Sequence, residues 1–145
     1  IGEGKTQVDV KNKAEQLGVL DNVIFTGVTK NVPEFLSACD LIVMPSLYEG
    51  FPLTLVEEQA NGLKCICSDA ITSDVNLTGN ISFLSLDEGS EVWANAIRNT
   101  VCFADRNKAS THAIMKIKEA GYSIEDEVLK LEQYYLKAIR SVKKY

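Results

Sequence analysis

The sequence predicts an α/β fold: a Rossmann-like, three-layer α/β/α domain with a parallel sheet of about four strands, followed by C-terminal helices. Three observations carry this. Strand-like and helix-like segments alternate along the first half of the chain. Two strand-like runs, Asp40-Leu41-Ile42-Val43-Met44 and Lys64-Cys65-Ile66-Cys67-Ser68, are apolar at both parities, as expected for strands buried on both faces. Glycines at 18 and 62 close helical segments in the manner of C-terminal caps.

Taken in order, residues 6–18 (TQVDVKNKAEQLG) read as a helix stopped by Gly18. Val23-Ile24-Phe25-Thr26 is a short β-rich run ending at Gly27. Residues 31–38 read as a short helix, with Asn31 as cap and Pro33 in the first turn, where a missing N–H costs nothing. The strand at 40–44 stops at Pro45-Ser46, and a loop from Leu47 to Pro52 leads into a helix over residues 53–61. The strand at 64–68 follows Gly62, then a polar, turn-rich loop (DAITSDVNLTG, 69–79), then a strand at Ile81-Ser82-Phe83-Leu84. Residues 91–103, 108–119 and 124 to near the end read as helices. Trp93 shares helical spacing with Val92, Ala96 and Ile97, which assigns it to core packing. On the last helix Val128, Leu129, Leu131, Leu136 and Ile139 form an apolar stripe beside Tyr134 and Tyr135.

Composition excludes several classes. The chain has 145 residues, 46% hydrophobic and 24% charged, enough for one domain with a real core. Its net charge is -5, without a basic cluster, so nucleic acid is not an expected partner. No apolar run approaches the roughly 20 residues of a membrane-spanning helix. The opening Ile1-Gly2-Glu3-Gly4-Lys5 is not a signal peptide; it reads as a strand end and a turn, as though the chain began inside a fold. Of the four cysteines, Cys65 and Cys67 would point to one face of a strand. With no Cys-x-x-Cys pair and His112 remote, no metal site is expected, and the thiols read as reduced, buried small hydrophobes of a cytosolic protein.

The stretch from Pro45 to Gly62 carries the chemistry. It is a strand end, a loop and a helix start, and ligands of open parallel sheets bind beyond the carboxyl ends of the strands. A helix amino terminus there offers free N–H groups and partial positive charge to phosphate. Gly50 allows close backbone approach, and the amides of Phe51, Leu53 and Thr54 are the phosphate candidates because Pro52 has none. Glu57, at the end of the first helical turn, can accept from two ribose hydroxyls; Glu49 lies in the loop, near where a transferred sugar would sit. Glu58 reads as a solvated neighbour, and Lys5 and Lys30 as surface charges.

The Glu49-x7-Glu57 spacing within EGFPLTLVEEQANG resembles the GT4-like group of retaining glycosyltransferases of the two-domain GT-B fold. Val23–Gly27 resembles the family's V-x-F-x-G strand, Cys39–Ser46 its Asp-apolar-Pro-Ser strand, Gly2-Glu3-Gly4 its Gly-Asp-Gly turn and Lys64–Asp69 the strand that follows. The order and spacing hold from residue 1 to about 70. The resemblance implies that Glu57 holds the nucleotide ribose and that Glu49 lies by the sugar and diphosphate. It implies that Gly50, Phe51, Pro52, Leu53 and Thr54 surround the sugar and phosphates. It places Gly27 and Val28 by the base, with Gly2 and Gly4 at the pocket edge.

The donor would be a nucleoside diphosphate sugar, with no separate cofactor. The family's Gly-Arg strand and following Lys, which neutralise the leaving diphosphate, do not precede Ile1, and the acceptor domain is absent. The chain is therefore expected to be a single, partial donor-binding domain over 1–145 whose full-length partner domain is missing, inactive by itself. Where the family has a Gly-rich turn, Ala70–Val75 resembles a subgroup from bacterial surface-polysaccharide loci. Such an enzyme would be cytoplasmic, peripheral to the inner face of the membrane, with an open sheet edge able to pair with a second copy. Two other readings stand beside it: a nucleotide-binding module without turnover, and a GT-B-fold nucleotide-sugar epimerase, which the EGFPL loop disfavours.

Overall fold

The computed structural model describes residues 2–142, so Ile1, read as a strand end, lies outside the described residues. The chain divides into two compact units, residues 1–35 and 36–145.

The first unit holds helix α1 (Gln7–Gln16) and a 3₁₀ turn at Leu20–Asn22. Gly18, at φ +67°, ends α1 in the left-handed conformation expected of a terminating glycine. The run 23–26 is not a strand. Ile24 is 85% exposed, and among the described residues the segment's one ladder contact is an antiparallel bridge at its end, from Gly27 to Gly2. Apolar, β-branched residues favour a strand only where a neighbour supplies hydrogen bonds and packing. Among the described residues the sheet accordingly has three strands, where about four were expected. Helix α2 (Val32–Ala38) runs across the division between the units.

In the second unit the strands are β1 (Leu41–Met44), β2 (Lys64–Ser68) and β3 (Ile81–Leu84), all parallel and in that spatial order. Ile42 pairs with Cys65 and Met44 with Cys67; Cys65 pairs in turn with Ile81 and Cys67 with Phe83. Because side chains alternate along a strand, these six share one face. Helices α3 (Leu53–Ala60) and α5 (Arg106–Glu119) cover it through Leu55, Val56 and Ile117, with Ile71 and Val75 completing the core. On the other face Ile66 is buried, whereas Val43 on edge strand β1 is exposed. The α/β class and the parallel sheet match the expectation.

The loop after β2 holds a 3₁₀ turn, Ser73–Val75, and is pinned by Gln59 on α3. The fully buried Gln59 amide donates to the carbonyls of Leu55 (2.9 Å) and Val75 (2.8 Å), and its oxygen accepts from the amide (3.1 Å) and hydroxyl (2.9 Å) of Thr78. All of its hydrogen-bonding capacity is used, which makes its burial tolerable.

Helix α4 (Gly89–Asn99) starts earlier and stops four residues sooner than the sequence suggests, because Thr100 turns to extended geometry and its hydroxyl bonds back to Ala96. Trp93 is buried and donates to the Ser85 carbonyl at 3.0 Å. Helix α6 (Ile124–Val142) is the longest among the described residues and is amphipathic in pattern, yet Val128, Leu129, Leu131, Leu136 and Ile139 are exposed. No helix among the described residues is long and apolar enough to cross a membrane.

Candidate functional site

The site forms at the carboxyl ends of β1 and β2. The loop of residues 45–52 leaves β1 and the loop of residues 69–72 leaves β2. They meet where Glu49 forms a parallel bridge with Ile71. The half-buried Glu49 carboxylate accepts from the Ser46 hydroxyl at 3.2 Å, so its orientation is held from within the loop. Beyond it Gly50 is exposed, Phe51 is half-buried against the core, and the buried Pro52 takes the extended N-cap position of α3.

No side chain caps α3. The first amide bonded back across its start is that of Leu55, to the Pro52 carbonyl at 3.0 Å. The amides of Leu53 and Thr54 lie ahead of it, within the turn whose N–H groups have no acceptor inside a helix. Both side chains are exposed. The start of α3 is therefore a concentration of donors and positive dipole at the sheet's carboxyl end.

Glu57 follows the first turn and is exposed. It opens, with Leu53 and Val56, onto a groove of about 520 Å³ whose far wall is Tyr122, Ile124 and Glu127, from the α5–α6 turn and the start of α6. The sequence did not place that wall. A second hollow, of about 430 Å³, lies at the amino end of β3 between Asn80, Phe103, Lys108 and His112. It contains none of the expected site residues.

Glu58 corrects one expectation. It is not solvated but buried, at 8% exposure. Its carboxyl faces the Cys65 thiol, which donates a weak bond at 3.9 Å. Burial, with the charge of Glu57 adding to it and the Cys65 thiol working in the opposite direction, raises its pKa from 4.5 to about 7. The same burial raises both thiols, Cys67 to about 12, and the nearby Glu58 adds to both shifts, so Cys65 and Cys67 stay protonated. Spacing offered a signal: Glu58 stands three residues after Leu55 and Gln59 four, which turns both toward the buried face. The thiols are not uniformly buried either: all four are free, but Cys39 is half-buried and Cys102 exposed.

A pH dependence follows. Folded Glu58 holds its proton to higher pH than the unfolded chain does, so its contribution to stability is complete below pH 4.5 and is lost as pH rises toward 7. With discounting for partial solvation, the loss is roughly 2 kcal/mol. Glu58→Gln should flatten that part of a profile of melting temperature against pH and raise stability at pH 8. An unchanged slope between pH 5 and 7.5 would remove Glu58 as its cause.

Gly2, Gly4, Gly27 and Val28 belong to the first unit. Within it Gly2 and Gly27 are brought together: the Gly2 amide donates to the Gly27 carbonyl at 2.8 Å. Both need positive φ, +127° and +64°, which glycine adopts without strain. Val28 and Gly4 are exposed. Among the described residues no three His, Cys, Asp or Glu side chains gather as a metal site would require.

Comparison with known proteins identifies the family. The family model for glycosyl transferases group 1 matches residues 1–99. The Bacillus subtilis protein named glycosyltransferase EpsF is 43% identical over 97 residues, covering 66% of this chain and 25% of its own. An Escherichia coli UDP-Gal:alpha-D-GlcNAc-diphosphoundecaprenol alpha-1,3-galactosyltransferase is 35% identical over 81 residues, covering 55% of this chain and 19% of its own. Sucrose-phosphate synthase from Thermosynechococcus elongatus superposes with a TM-score of 0.71 at 22% identity, over 95% of this chain and 35% of that one; it shares the fold. The chain thus spans about a third or less of the length of each of these three. With the family model covering both acids and the strands that present them, the chain belongs to the glycosyl transferases group 1 family.

Proposed function

We propose that this chain is the donor-binding part of a retaining glycosyltransferase that moves a sugar from a nucleoside diphosphate sugar to an acceptor in bacterial surface-polysaccharide synthesis. One observation carries the reading: Glu49 and Glu57 flank the uncapped start of α3 at the carboxyl end of a parallel sheet. The helix start is suited to the diphosphate and the two acids to hydroxyl groups of ribose and sugar. The named substrate of the Escherichia coli relative is consistent with this, as is the Vi polysaccharide biosynthesis named for a Salmonella typhi relative 30% identical over 92 residues. In this reading Glu57 holds the ribose, Glu49 stands by the sugar, and residues 50–54 surround the phosphates. Electrostatic stabilisation of the departing diphosphate supplies the catalysis. A lipid-carried acceptor such as the one named for the Escherichia coli relative would bring the intact enzyme to the cytoplasmic face of the membrane.

The test is ligand-observed NMR on the 145-residue chain with UDP, GDP and ADP sugars, beside Glu57→Ala. Loss of charge-assisted hydrogen bonds predicts weakening of at least about tenfold. Because Glu57 is exposed, the melting temperature should hold. Absence of binding at millimolar donor, in the chain and in a longer protein containing it, would sink the reading. Binding indifferent to Glu57→Ala would remove the ribose role.

A further inference from the structure

Among the described residues the segment from Ser46 to Phe51 is tethered by the Ser46–Glu49 hydrogen bond and the bridge from Glu49 to Ile71. The Phe51 ring is held from two sides. One is the core; the other is Tyr122, whose ring stacks on it with centroids 5.5 Å apart and planes within 1°. Tyr122 sits on a well-anchored turn. Its amide donates to the Ile117 carbonyl at 3.1 Å, and Gly121 before it has φ +88°. Ser123 after it is buried and starts α6, its carbonyl accepting from Glu127 at 2.9 Å. The same tyrosine walls the groove onto which Glu57 opens.

We propose that Tyr122 is a positioning residue for the donor loop. Its ring fixes Phe51, and with it the backbone from Gly50 to Leu53, so that the loop amides and Glu49 keep one arrangement relative to the start of α3. The α5–α6 turn, 71 residues from Phe51, is thereby part of the site. The ligand side of this statement rests on the donor reading above; the ordering of the loop does not. Stacked aromatic pairs typically shift an equilibrium by about 2- to 10-fold beyond the area they bury.

The experiment compares the 145-residue chain with Tyr122→Ala and Tyr122→Phe. Backbone ¹⁵N relaxation is measured for residues 48–53 and for β2, and affinity for the best-bound of UDP, GDP and ADP and for its nucleoside monophosphate. Tyr122→Ala should lower order parameters at 48–53 toward about 0.6 while β2 is unchanged, and Tyr122→Phe, which keeps the ring, should preserve them. The alanine variant should bind the diphosphate about 5-fold more weakly, within the range of one stacked pair, and the monophosphate within about 2-fold of the parent. A loop unaffected by Tyr122→Ala, or disordered equally by Tyr122→Phe, overturns the positioning role, whatever binds. Equal weakening of both nucleotides overturns its link to the phosphate loop. Loop disorder in the alanine variant with no nucleotide bound by any form supports the positioning and counts against the donor reading instead.

Discussion

Replacing Arg106 by alanine is expected to lower stability by about 3 kcal/mol and the melting temperature by 10 °C or more. Arg106 is the first residue of α5, and its guanidinium serves two other helix ends. It donates to the carbonyls of Leu36, Ser37 and Cys39 at the end of α2. It also donates to the carbonyl of Asn61 (3.1 Å) and its side-chain oxygen (2.7 Å) at the end of α3. The last carbonyls of a helix have no intrahelical donor, and the negative end of the dipole favours a cation. One planar fork thus satisfies several acceptors at once. Alanine leaves some of them without a partner where water reaches poorly, which costs more than the bonds contribute net. Arg106→Lys keeps the charge but not the fork, so it should recover less than half of the loss. Thermal and urea unfolding followed by circular dichroism would read this. A shift below 3 °C for Arg106→Ala would mean that solvent replaces the fork without penalty.

Gly62→Ala should be at least as damaging, at about 3–5 kcal/mol. Gly62 closes α3 at φ +74°, a conformation that costs an L-residue about 1–2 kcal/mol. The space is also occupied. A Cβ there would stand 2.8 Å from the Ser110 amide nitrogen and 2.9 Å from the Arg106 carbonyl oxygen. These are backbone atoms of α5 and cannot rotate aside, so α5 must move away from α3. That separates the helices which jointly cover the sheet, and it strains the Ser110 hydroxyl's 2.6 Å bond to the Ala60 carbonyl. Gly79→Ala is a control: its φ is +82°, but nothing lies within 4 Å of its Cβ position, so it should show the conformational cost alone. Equal destabilisation by the two substitutions in urea titrations would refute the packing explanation for Gly62.

The two substitutions probe features of different legibility. Gly62 could be read as a helix stop from its place after Asn61, because left-handed geometry at a C-terminus is a local demand. Its contact with α5 could not, since Ser110 lies 48 residues away. Arg106 gave no local signal at all: at the start of an exposed-looking helix it resembles any surface cation. Glu58 and Gln59 were legible in part. Helical spacing turns them inward, but only the close approach of β2 and the loop to Thr78 shows what receives them.

The sequence by itself determined the α/β class, the three core strands, most helices, and the two acids at the strand–loop–helix junction. These depend on local periodicity, on caps, and on a spacing of residues within one short segment. Only the tertiary structure decided that 23–26 forms no strand, that Glu58 is buried with a raised pKa, and that Tyr122 stands behind Phe51. Each depends on atoms distant in sequence. A strand needs a paired neighbour, a carboxyl's pKa follows the solvent it loses, and a stacked ring requires that a turn 71 residues later return to the same loop.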